Sequence, residues 1–177
     1  MSAQLTIWMA VIGVTLIAGW IDFRTHKIPN WLTVPGLAAA IALRAALSGW
    51  TGAKASLEGA LLALMVLLPL VLLRALGAGD WKLMGALGAF LGPWMFLFVL
   101  LGSIFVSGLM AIVEMMRTRR VKETFQNVLV LVHGFISFGL RANPEISLDN
   151  PQLLKLPFGV AVAISTLLCF IAAQLHA

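Results

Sequence analysis

The sequence predicts an all-α polytopic membrane protein of about six transmembrane helices, and three observations carry that prediction. Hydrophobic residues make up 61% of the 177 residues and charged residues 11%, with a mean hydropathy of +1.01. A soluble domain carries roughly 45–50% apolar and about 25% charged residues. Apolar stretches of the length a helix needs to cross a bilayer recur along the chain. The cations gather in a few connections, as they do on the cytoplasmic side of membrane proteins. The composition predicts a single integral-membrane domain over residues 1–177, with membrane lipid as its surroundings. The net charge of +5 reads as membrane topology, and no nucleic-acid partner is expected. The single cysteine, Cys169, excludes an intrachain disulfide and a cysteine-based metal site. His26, His133 and His176 show no metal-ligand spacing, so neither metal nor cofactor is expected.

Residues 3–21 are long and apolar enough to span. No Lys or Arg precedes them, whereas Arg24 and Lys27 follow. That order predicts a retained helix, not a signal peptide, with its N-terminus outside and its end in the cytoplasm. Residues 22–30 form a short polar connection in which Pro29 resists helix continuation and Asn30 is a good N-cap. A second helix is expected over 31–48, a turn at 49–52 with Trp50 at an interface, and a third helix over 56–76 that Pro69 kinks. Arg44 and Glu58 flank that turn and are expected to pair or to snorkel outward.

Gly77 to Gly79 interrupts the pattern, and a fourth helix runs over 80–91 up to Gly92 and Pro93. It rises only ~18 Å against a hydrocarbon core of roughly 30 Å. Gly85, Gly88 and Gly92 share one face and let a neighbour approach closely. A fifth helix covers 94–116, with Ser103, Ser107 and Ala111 as a second small stripe. The basic run 117–122 reads as a cytoplasmic anchor. Residues 125–140 are apolar but short and are expected to lie flat at the interface, with His133 structural. Residues 141–155 are polar, and the last helix runs over 157–175. With six spans, Arg24, Lys27, Arg74, Lys82, Arg117, Arg119, Arg120, Lys122, Arg141 and Lys155 share one side, leaving only Arg44 and Lys54 of the 12 cations toward the other. The crowded side is the cytoplasm.

Within this apolar chain only seven residues are acidic, and only Asp22, Asp80 and Asp149 are aspartates. Ionisable groups at membrane depth are costly and mark function. Two expected helices separate Asp22 from Asp80, so both emerge on the cytoplasmic side, where they can meet. Two carboxylates close together do not both ionise at neutral pH. One then acts as base on a water while the other, protonated, donates to a carbonyl; this is aspartyl-protease chemistry and needs no metal. Asp80 opens a helix and Asp22 closes one, so the helix dipoles favour Asp80 as the base and Asp22 as the acid. Gly77 and Gly79 permit close backbone approach beside Asp80.

These residues resemble the prepilin (type IV leader) peptidases, a family of bacterial aspartyl membrane proteases. Asp22-Phe23-Arg24 through Ile28-Pro29-Asn30 is similar to the family's first catalytic aspartate and its I-P-N. Gly77-Ala78-Gly79-Asp80 with Lys82 is similar to the second aspartate in its G-x-G-D motif. Lys155-Leu156-Pro157-Phe158-Gly159-Val160-Ala161 resembles the family's P-[FY]-G segment. The resemblance implies Asp22 and Asp80 as the catalytic pair. Arg24, Pro29, Asn30, Gly77, Gly79, Lys82, Pro157, Phe158 and Gly159 are then supporting motif residues. It further implies an aspartic endopeptidase in the bacterial inner membrane with its site facing the cytoplasm. Its partners are prepilin or pseudopilin precursors, cut after a short basic leader next to an apolar helix. Larger members carry an insertion with paired Cys-x-x-Cys motifs, linked to N-methylation. The short 22–30 connection and the single Cys resemble instead the short forms that serve Flp/Tad-type pili, so no methyltransferase activity is expected. Two other readings compete. A small proton-coupled transporter would use both aspartates as a relay, but no internal repeat is visible. A non-catalytic pilus or secretion assembly subunit would tolerate Asp→Asn at both positions. A Ser/His protease lacks a nucleophile context at Ser107 and His133.

Overall fold

The computed structural model describes residues 3–118 and 156–175. These residues form four helices, α1 (Ala3–Thr25), α2 (Asn30–Leu72), α3 (Ala78–Thr118) and α4 (Phe158–Leu175), with no strand among them. All four are long and apolar enough to cross a membrane. The helical membrane class therefore holds, but the described residues form four helices where six spans were expected. The expected second and third helices are one element, α2, and the expected fourth and fifth are one element, α3.

The reason lies in two glycines. Gly49 (φ 60°, ψ −146°) and Gly92 (φ 76°, ψ 174°) leave helical geometry inside α2 and α3. Glycine enters this region without the Cβ penalty that other residues suffer, so the helix breaks at one residue and no loop is needed. Pro93 follows directly, at a first-turn position where its missing N–H is no loss. Pro69 lies inside α2, where the only break in helical dihedrals is at Gly49.

Packing shows how the halves of α2 run. Before Gly49, Asn30 bonds Lys82 and Gly36 faces Ala86, so this half runs along the start of α3 in the same direction. After Gly49, Gly59 meets Gly88 and Leu64 meets Gly85, so the second half runs against it. The Gly59–Gly88 contact is backbone on backbone, and neither position has room for a Cβ. Lipid tails are as apolar as Leu, so helices in a bilayer are held by such close packing and not by the hydrophobic effect. The glycine stripe expected on 85, 88 and 92 is thus the face that α2 occupies. Leu83, Met84, Leu87 and Phe90 fill the core beside it.

Arg44 does not pair with Glu58. Its Nη1 donates to the Phe90 carbonyl at 2.8 Å, while Glu58 meets exposed Lys54 at 3.8 Å. The break at Gly92 leaves the last carbonyls of the preceding turn without helical donors, and a cation is a good partner for them. Trp50 and Trp94, each one or two residues past a break, are strongly exposed, as suits aromatics at a membrane interface.

α4 lies against both α1 and α3. Gly19 sits on the Gly159 carbonyl and on Ala163, and the Trp8 and Phe170 rings tilt together with centroids 5.8 Å apart. Ser165 Oγ donates to the Val99 carbonyl at 2.8 Å, tying α4 to α3. The expected interfacial helix at 125–140, His133, Lys155 and most of the basic run 117–122 lie outside the described residues.

Candidate active site

Three helix ends build the site. α1 closes in a tight C-terminal turn. The His26 N–H bonds the Asp22 carbonyl at 2.8 Å, His26 takes the left-handed conformation (φ 49°), and the Thr25 hydroxyl bonds the Ile21 and Lys27 carbonyls at 2.9 and 3.0 Å. This turn holds Asp22 in the last helical turn, and Asp22 is buried at 5% exposure.

α3 opens the second part. Asp80 stands in its first turn, and the Trp81 N–H bonds the Gly77 carbonyl at 3.0 Å. The Asp80 carboxyl folds back over this turn and takes a hydrogen bond from the Gly77 amide. A Cβ on Gly77 would stand 2.8 Å from Asp80 Oδ2, and one on Gly79 would stand 2.6 Å from the Ile28 carbonyl. The two glycines of G-x-G-D thus have separate tasks. Gly77 leaves room for the carboxyl, and Gly79 seats the turn on the Ile28–Pro29 segment.

α4 supplies the third part. The Gly159 N–H donates to Asp22 Oδ2 at 2.7 Å across a buried contact. Pro157 leads into the helix, its carbonyl accepting from the Val160 N–H at 3.1 Å, and Phe158 packs on the core. A Cβ on Gly159 would meet Asp22 Cβ at 3.0 Å and Oδ2 at 3.1 Å.

Asp22 lies close enough to Asp80 for its charge to bear on the Asp80 carboxyl. Asp80 Oδ1 is buried and has no hydrogen-bond partner among the described residues. Two acidic groups in mutual reach, one with a vacant oxygen, form a pair that can hold a single proton between them. Such a pair can take a proton from a water and give one to a substrate carbonyl.

The remaining residues of these stretches lie outside the pair. Lys82 Nζ donates to Asn30 Oδ1 at 2.9 Å. Asn30 is therefore no helix cap: the cap position is Pro29, in an extended conformation (φ −77°, ψ 147°) with no side-chain cap bond. Arg24 stacks over the Trp20 ring at 4.4 Å. These cations engage an amide and an aromatic face, with no ion pair to either aspartate among the described residues. Sequence reasoning missed two contacts that set the site. Trp81 Nε1 donates to the Leu64 carbonyl at 2.8 Å and pins the Asp80 turn to the second half of α2, and the Ile28 backbone carries Gly79. The tryptophan between Asp80 and Lys82 was the available signal for the first: a buried indole N–H needs an acceptor. Among the described residues no three His, Cys, Asp or Glu side chains group as metal ligands.

The sequence model of the type IV leader peptidase family matches residues 4–112, a span that contains Asp22, Ile28–Asn30 and the Gly77–Lys82 stretch. No curated protein and no solved structure matches the chain. The family match covers most of the chain and both helix ends that bear the aspartates, and the chain belongs to the type IV leader peptidase family.

Proposed function

We propose that this peptidase is an aspartic endopeptidase that removes the leader of type IV prepilins of the Flp/Tad type, cutting at the cytoplasmic face of the bacterial inner membrane. The observation that supports the reading is that Asp22 lies within electrostatic reach of Asp80, the two coming from helix ends far apart in sequence, in a chain of this family. In this reading Asp22 and Asp80 share one proton and activate a water against the scissile carbonyl, without a covalent intermediate. The short connection between α1 and α2 leaves no space there for a Cys-x-x-Cys insertion, and a single free cysteine remains, Cys169. We therefore expect cleavage without N-methylation.

The same reading gives α2 and α3 two crossings each, six in all. The direction of α2 relative to α3 reverses across Gly49, which supports the first pair. For α3, Val99 would lie about 28 Å above Asp80 if the helix ran on straight through Gly92. Yet Val99 is bonded by Ser165, only about 9 Å along α4 from Gly159 and the aspartates. A fold-back at Gly92 accounts for that contact.

The test is a processing assay in membranes. A Flp-type prepilin is co-expressed with the wild-type chain, Asp22→Asn or Asp80→Asn, and its size shift is followed at equal accumulation of the three. General acid–base groups contribute about 100- to 10,000-fold, so either variant is expected to leave the precursor uncut. Full cleavage by either variant would make that aspartate structural and remove the dyad.

A further inference from the structure

The dipole argument from sequence makes Asp80 the base and Asp22 the acid. It counts only the helix on which each residue sits, and the fold adds a third helix. α4 begins beside Asp22, and the Gly159 N–H in its first turn reaches Oδ2 at 2.7 Å. An N–H bonded to a carboxyl oxygen favours the charged form, and a helix N-terminus favours an anion beside it. The charged and titratable groups facing Asp22 among the described residues are His26 just past α1 and Asp80 on α3, with none from the start of α4. Burial disfavours the charged form of both carboxyls, so the donors that each one meets decide between them.

Asp80 is served differently. Its amide donor comes from its own turn, at Gly77, and Oδ1 stands buried without a donor among the described residues. A buried anionic oxygen without a donor is expensive, whereas a carboxylic acid hydroxyl brings its own hydrogen. Resting on the aspartyl-dyad reading above, we propose that Gly159 is a positioning residue: its amide holds Asp22 as the carboxylate of the pair, and Asp80 carries the shared proton on Oδ1. Asp22 is then the base that takes the proton of water, and Asp80 is the acid that donates to the substrate carbonyl. The P-F-G segment reaches the chemistry through one backbone N–H, and the residue there is glycine because a Cβ would push against Asp22 Cβ and Oδ2.

The experiment does not depend on cleavage. Dicyclohexylcarbodiimide modifies protonated carboxyls in apolar surroundings and spares carboxylates. The full chain in lipid nanodiscs is treated at neutral pH and the adducts are mapped by mass spectrometry. The expected result is modification of Asp80 and not of Asp22. In Gly159→Ala the displaced amide releases Asp22, and Asp22 is expected to gain at least a several-fold share of the adduct. Thermal unfolding of the same nanodisc sample establishes that this variant is folded. If it is not, Asp80→Asn provides the second arm, in which Asp22 should stay unmodified because its amide donor remains. Preferential modification of Asp22 in the wild type, or of neither residue, overturns the proposal. So does an adduct pattern unmoved by Gly159→Ala, or Asp22 modified in Asp80→Asn. A wild-type chain that leaves a Flp-type prepilin whole yet shows the expected pattern would remove the proposed substrate and leave this assignment of the proton standing.

Discussion

The α2–α3 interface and the α1–α4 interface are both built from small residues, and they are built for different ends. Between α2 and α3, Gly59 and Gly88 bring backbone against backbone, Leu64 packs into Gly85, and Arg44 closes the far end on the Phe90 carbonyl. Nothing there is held ready for chemistry. Between α1 and α4, Gly19 and Ala163 bring the helices together less tightly, and the contact ends in a carboxyl, Asp22, bonded by a backbone N–H. Asp80 comes from the first pair and Asp22 from the second, so the candidate site lies on the seam. The contrast teaches that close packing fixes the helix bearing Asp80 as scaffold, while α4 addresses the carboxyl itself.

Five substitutions would break or sharpen that contrast. The largest effect is expected at Gly88→Leu or Gly59→Leu, where any side chain collides with opposing backbone. We expect a loss of more than about 4 kcal/mol and little folded protein, read by unfolding in mixed micelles. A folded, active Gly88→Leu protein would refute the scaffold role of that interface. Arg44→Met comes next. It removes a charged donor from the Phe90 carbonyl at a helix break and should cost about 1.5–3 kcal/mol in the same titration. If the wild-type stability persists, Arg44 contributes nothing to holding the break. Ser165→Ala removes the bond from α4 to the Val99 carbonyl and should cost about 0.6 kcal/mol, the usual size for such bonds in membranes. The smallest effect belongs to Lys82→Met. Its bond to exposed Asn30 resembles a surface contact, worth about 0–1 kcal/mol. A large destabilisation there would mean that the start of α2, and not the glycine interface, carries the Asp80 turn.

Much of the fold was legible before any coordinates. Helices follow from local periodicity and apolar length, so every described span falls where an apolar stretch was seen. The glycine face of α3 was legible because Gly85, Gly88 and Gly92 repeat at helical spacing. The aspartates were legible because a carboxylate in an apolar chain is an outlier. What was read wrongly depended on partners distant in sequence. Asn30 was read as a cap by its type and position; its partner, Lys82, lies 52 residues on. Arg44 was matched with the nearest acid across a turn, whereas the break at Gly92 offered it a better acceptor, 46 residues away. A four-residue turn at 49–52 and a helix end at Gly92–Pro93 were expected where a single glycine breaks each element, because sequence marks a breaker but not how tightly the chain bends at it.

By itself, then, the sequence determined an apolar helical chain, its two outlying carboxylates and the glycines beside one of them. Each of these is a property of a residue and its near neighbours. Only the tertiary structure decided that Asp22 takes its amide from Gly159, 137 residues away, and that Asp80 keeps an oxygen with no donor among the described residues. Helix dipoles read along the chain therefore assigned the proton by each aspartate's own helix. The folded molecule brings a third helix end to one of the two, and electrostatics depends on distance in space and not on position in the chain.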